Sequence, residues 1–162
     1  MRQHMAQHAL PLDPGERRVA AALLLMRLTL GAFLMQWGIE KFVNPNISAA
    51  IADYFYGVSL SATLGYIHGT VEVLVAACLL LGLFRFWSYG IATLGHAVTV
   101  AVSYHQLLHP YTDVNHMFAA SVPVLGGFIL LFLLRGWDRY SLDCWFGSGG
   151  TLTEVASEPE RL

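Results

Sequence analysis

The sequence predicts an all-α integral membrane protein, a four-helix up-down bundle with both termini in the cytoplasm (N-in/C-in). Hydrophobic residues make up 56% of the chain and charged residues only 12%, which is unlike a soluble globular protein. Four apolar stretches each approach the roughly 20 residues that an α-helix needs to cross a hydrocarbon core. The later stretches are joined by short connections, which favour antiparallel neighbours.

The first predicted span covers residues 19–42 and follows a polar cytoplasmic lead, residues 1–18. It ends before Asn44 and Pro45, which are residue types that stop a helix. No small-residue cleavage site follows a short apolar core, so we expect this span to stay in the mature protein rather than act as a signal peptide.

Residues 47–58 carry apolar and aromatic side chains at helical spacing. This pattern is typical of a short amphipathic helix in the membrane interface, here on the outer side between spans 1 and 2. The remaining spans are predicted at 61–84, 88–108 and 115–134. They complete a membrane domain over residues 19–143, and the polar residues 144–162 are expected to form a flexible cytoplasmic tail.

The distribution of basic residues predicts the orientation. One side of the predicted bundle receives seven arginines: Arg2, Arg17, Arg18, Arg85, Arg135, Arg139 and Arg161. Lys41 lies alone on the opposite side, and Lys and Arg concentrate at cytoplasmic ends. We therefore expect a multi-pass protein of the inner (plasma) membrane, embedded in the lipid bilayer. The basic residues form no cluster, which argues against nucleic acid as a partner.

Three ionisable residues fall inside the predicted spans: Arg27, Glu72 and His96. Each is unfavourable in lipid, by about 2.5–3.5 kcal/mol for Arg or Asp near a helix centre. We expect Arg27 to pair with Glu72. Two interpretations remain open: an ion pair that only orders the bundle, or a catalytic site in which Glu72 and His96 transfer protons beside Arg27 as counter-ion.

Histidines suggest a further site towards the outer side. His68 and Glu72, like His105 and His109, are four residues apart and therefore project from one helix face. Imidazoles bind metal ions and haem iron. The candidate metal ligands are His68, Glu72, His105, His109 and His116, and the candidate cofactor ligands are His68, His96 and His116. The sequence has no established metal motif such as HExxH, so interfacial hydrogen bonding is the alternative role for these histidines.

Three segments resemble the DoxX family of small four-helix membrane proteins: Arg27 to Phe42, Gly69 to Phe86 and Gly136 to Asp143. They carry a pattern of Arg27, Gly31, Gly38 and Lys41, a GxxE at Gly69 to Glu72, and a closing SLD. The family is related to the large subunit of thiosulfate:quinone oxidoreductase. The resemblance therefore implies a redox partner and a quinone.

The leading hypothesis is a redox-linked membrane subunit of an oxidoreductase complex. It would pass electrons from a periplasmic or membrane redox protein, or a small reductant, to the quinone pool. The alternative is a non-catalytic anchor or assembly scaffold for a soluble oxidoreductase. A small-solute or metal transporter is weaker, since four helices leave little room for alternating access without oligomerisation. The electron donor, the presence of haem or metal, and a homo- or hetero-oligomeric state remain open.

Overall fold

The structure, a computed structural model, describes residues 12–147 as helices and connecting turns. No strand occurs within this range, so the predicted all-α class is confirmed. The first 11 and last 15 residues lie outside the described part. Most of the predicted lead and tail, with Arg2 and Arg161, therefore falls there.

Six α-helices and two 3₁₀ segments make up most of the described chain. The α-helices are α1 (Pro14–Val43), α2 (Pro45–Tyr56), α3 (Ala62–Leu81), α4 (Arg85–Val102), α5 (Tyr104–Leu108) and α6 (Ser121–Leu133). The 3₁₀ segments Asn115–Ala120 and Arg135–Trp137 precede and follow α6. Residues 142–147 are helical as well, so the start of the predicted flexible tail is ordered.

Local sequence sets the ends of α1. Asp13 and Glu16 form a capping box around Pro14, so the helix begins within the predicted polar lead. It ends at Asn44, whose backbone is not helical, and Pro45 starts a new helix. That new helix, α2, lies where the sequence predicts a short amphipathic helix.

The two later spans are less regular than predicted. The range 88–108 contains α4 and the short α5, which are separated at Ser103. The range 115–134 begins as a 3₁₀ segment and becomes α-helical only at Ser121. Pro123 lies in the first turn of α6, where its missing N–H is not needed for the helix.

Three segments are long and apolar enough to cross a membrane: α1, α3 and Asn115–Leu133. The helix α4 is less apolar because it carries Arg85, Ser88 and His96. The described chain thus has three candidate spans.

The core lies where α1, α3, α4 and α6 meet. Its buried residues are Leu23, Leu30, Leu79, Tyr89, Ala92, Phe128 and Leu131. The helices α1 and α3 pack along each other with glycines at the contact. A Cβ on Gly38 would lie 3.0 Å from the backbone N of Val73, and one on Gly69 would lie 3.2 Å from the carbonyl O of Gly38. Only glycine permits so close an approach.

Candidate functional site

A buried ion pair lies at the end of the bundle where α3 ends and α4 begins. Arg27 Nη1 donates a hydrogen bond to Asp138 Oδ2 at 3.0 Å, and the Tyr89 hydroxyl donates to the same oxygen at 2.6 Å. Asp138 is fully buried, and Arg27 is 3% exposed. We call these three residues the Asp138 cluster: Arg27, Tyr89 and Asp138. It joins α1 and α4 to the segment that follows α6.

A second layer of contacts holds that segment in place. Arg85 Nη1 donates to the carbonyl oxygens of Arg135 and Asp138, at 2.7 and 3.0 Å. The carboxylate of Asp143 accepts from the backbone N–H groups of Phe84 and Arg85, at 3.0 and 2.9 Å. Asp143 therefore caps the start of α4. It does so in place of Phe84, the residue at the cap position, which makes no side-chain cap of its own.

A second ion pair lies towards the C-terminal end of α1. Lys41 Nζ donates to Glu72 Oε2, and it also donates to the carbonyl O of Trp37 at 3.1 Å. The two charged side chains are only 13% and 17% exposed. This Lys41–Glu72 pair links the end of α1 to the middle of α3.

His96 lies between these two sites, on α4. It is buried among aromatic rings, with centroids 5.6 Å from Phe33 and 5.4 Å from Phe128. Its Nε2 is 3.1 Å from the carbonyl O of Ser121. Since a carbonyl oxygen only accepts, Nε2 carries the proton in this contact.

The expected Arg27–Glu72 pair is wrong. Each residue has another partner, and Arg27 and Lys41 are 14 positions apart on α1, or about 21 Å at 1.5 Å per residue. Arg27 is therefore no counter-ion to Glu72. The proposed catalytic roles of Glu72, His96 and Arg27 stay predictions, but the structure does not bring the three into one site.

The predicted metal ligands do not come together in one cluster. The rings of His105 and His109 are adjacent, with centroids 4.8 Å apart. His68 lies one turn from Glu72 on α3, and His116 belongs to the first 3₁₀ segment. Across residues 12–147, no three His, Cys, Asp or Glu side chains are grouped so that they could hold a metal ion. A metal or haem bound by these residues stays a prediction.

Sequence reasoning missed Asp138, Tyr89 and Lys41 as partners of the buried groups. One signal for Asp138 was present. The arginines place the end of the last span on the same side as the start of the first, which puts Asp138 on the same side of the membrane as Arg27. An unpaired buried arginine is unfavourable enough that a nearby carboxylate is the expected partner.

The family described as "Methylamine utilisation protein MauE" has a sequence model that matches residues 19–115, more than half of the chain. No curated protein and no solved structure matches. The expected membership of the DoxX family is therefore wrong. The short glycine patterns that suggested the DoxX family allow helices to pack closely, and unrelated membrane bundles share this requirement.

Proposed function

This chain belongs to the MauE family, and from that premise we propose that it is a membrane anchor or assembly subunit for a redox enzyme of methylamine utilisation. In this role it performs no chemistry itself. It presents a stable membrane surface on which the catalytic partner assembles.

The observation that carries the proposal is the internal pairing of the buried ionisable groups. Arg27 is bonded to Asp138, Glu72 to Lys41, and His96 to a backbone carbonyl. Each contact joins two separate elements of the chain. Ionisable groups that each bond to a partner on another element support a role in ordering the bundle.

The proposal includes a membrane arrangement of four crossings, up and down, with both termini in the cytoplasm of an inner-membrane protein. The fourth crossing is α4, which packs against α3 and α6 and turns Tyr89, Ala92 and His96 towards the interior. Its polar groups would then be shielded from lipid. The contact of Arg85 with the Arg135 backbone supports a shared basic end.

A second candidate is electron transfer to a quinone, which the redox setting of methylamine utilisation leaves open. The observation in its favour is His96, a buried imidazole next to Phe33 and Phe128. In that role His96 would exchange its bond to Ser121 for one to the quinone carbonyl.

Complementation with paired variants tests the anchor proposal. A methylamine-utilising strain that lacks the chain would receive the wild type, Glu72→Gln, or the double variant Lys41→Met with Glu72→Leu. The readouts are growth on methylamine, the amount of chain in the membrane, and the activity of the methylamine-oxidising enzyme. We expect the double variant to support at least half of the wild-type growth rate, because replacing both charges leaves neither unpaired. Loss of growth and enzyme activity in both Glu72→Gln and the double variant, with the chain present at its normal level, would mean that Glu72 takes part in chemistry.

His96→Leu separates the two candidate functions. An anchor with this change still retains its partner and the partner's activity. A quinone-reducing subunit loses methylamine-dependent quinone reduction in isolated membranes, although chain level and co-purified partner are unchanged.

A further inference from the structure

Two histidines stand side by side in the connection between α4 and α6. His105 is on α5, and His109 is the residue that ends this helix. Their ring centroids are 4.8 Å apart and their planes are tilted by 50°. Both side chains are exposed. The helical turn extends through the pair, because the backbone N–H of His109 donates to the carbonyl of His105 at 3.2 Å.

The spacing of the rings fits one shared metal ion. A metal bound to an imidazole nitrogen at about 2.0–2.1 Å lies about 3.2 Å from the ring centroid. Two centroids 4.8 Å apart then subtend an angle of about 100° at the metal. This value lies between the square-planar and tetrahedral angles. The same i, i+4 arrangement of histidines on a helix holds zinc in HExxH proteins.

The backbone of His109 is fixed by the turn that follows it. Its carbonyl accepts from the Thr112 N–H at 3.2 Å and from the Asn115 side-chain amide at 3.1 Å. One histidine is thus on a helix and the other on a hydrogen-bonded turn. Because the backbone of both histidines is already ordered, metal binding costs little backbone conformational entropy.

We infer that His105 and His109 bind one divalent transition-metal ion. Imidazole ligands favour Cu²⁺, Zn²⁺ and Ni²⁺, and among these Cu²⁺ binds most tightly. Water, or a donor atom from a partner protein, completes the coordination. This site is independent of the proposed anchor function, since it uses neither ion pair nor His96.

The test is Cu²⁺ binding to the full chain in lipid nanodiscs, purified without a histidine tag. Cu²⁺ is titrated against a competing chelator, and the bound ion is examined by electron paramagnetic resonance for coupling to two nitrogens. His105→Asn and His109→Asn are expected to weaken the tightest binding about tenfold or more and to remove the two-nitrogen signal. His116→Asn, which changes another exposed histidine of the same connection, should stay within about twofold of the wild type.

A register variant keeps the number of imidazoles constant. Exchanging Leu108 and His109 (L108H with H109L) turns one imidazole about 100° around the helix. We expect this variant to bind Cu²⁺ as weakly as His109→Asn does. Wild-type affinity in the register variant, an equal loss in His116→Asn, or no Cu²⁺ binding by the wild type overturns the inference. Circular dichroism and elution volume like those of the wild type show that each variant is folded.

Discussion

Asp138 accepts hydrogen bonds from Arg27 and Tyr89 while it is fully shielded from solvent. At Oδ2, the guanidinium and the hydroxyl replace water that this buried carboxylate has lost. Arg27 depends in turn on Asp138, which supplies the negative charge that its buried guanidinium needs.

Asp138→Asn should destabilise the protein by about 3–5 kcal/mol, because it leaves the Arg27 charge buried without its counter-charge. Tyr89→Phe removes one hydrogen bond and no charge, so it should cost only about 1–2 kcal/mol. Unfolding in mixed detergent micelles measures both. Asp53→Asn, at an exposed position on α2, is the matched control. An Asp138→Asn variant as stable as this control would contradict the account of the Asp138 cluster.

Gly82 tests a different residue-scale effect. Gly82 and Gly57 both end helices with positive φ, at +68° and +64°. Alanine at either position is strained by about 1–2 kcal/mol. A Cβ at Gly82 would also lie 2.9 Å from the Cα of Ser141 and overlap the Arg27 guanidinium, whereas Gly57 faces open space. Gly82→Ala should therefore lower the unfolding free energy by at least about 1 kcal/mol more than Gly57→Ala does. Equal losses would mean that the segment after α6 does not press against this turn.

Among the elements, the contact between α1 and α3 depends on glycine. Gly38→Ala should force the helices apart and cost about 1–3 kcal/mol, because its Cβ meets the Val73 backbone. Gly95→Ala on α4 has nothing within 4 Å and should be neutral or stabilising by up to about 1 kcal/mol. Thermal unfolding in detergent compares the two. If both variants behave alike, the close contact of α1 with α3 is not formed.

The sequence predicted the elements well where one local signal decides them. The apolar run and the Asn44–Pro45 break place the end of α1, and the spacing of Ile47 to Val58 places α2. It predicted the later spans less well. The predicted span 88–108 is interrupted at Ser103, and the predicted span 115–134 begins as a 3₁₀ segment over Asn115–Ala120. By composition alone each range suits one continuous helix, because the interruptions have no local sequence signal and depend on packing.

The ion pairs were harder to predict because they join distant parts of the chain. Arg27 and Asp138 are 111 positions apart, and Lys41 and Glu72 are 31 apart. Composition and periodicity report which residues share a helix face, but not which faces meet. The sequence therefore identified Arg27, Glu72 and His96 as ionisable groups within the helices, of which Arg27 and His96 are buried and Glu72 part-buried, and it assigned Arg27 the wrong partner.

At the scale of the whole molecule, the number of crossings decides where the C-terminus lies. Four crossings from a cytoplasmic N-terminus return the C-terminus to the cytoplasm, whereas three leave it outside. Alkaline phosphatase is active only outside the cytoplasm. A fusion after Leu162 should therefore be inactive, and a fusion at Asp113 should be active. Activity of the C-terminal fusion would show that α4 does not cross.

The central claim is that the buried charges act as matched pairs that hold the helices together. A double-mutant cycle across Lys41 and Glu72 tests it most directly, by unfolding Lys41→Met, Glu72→Leu and the double variant in the same micelles. We predict that each single variant loses about 1–3 kcal/mol, because it leaves the partner charge unpaired in a part-buried position, and that the double variant recovers most of this loss. Additive losses, or single variants as stable as the wild type, would contradict the claim.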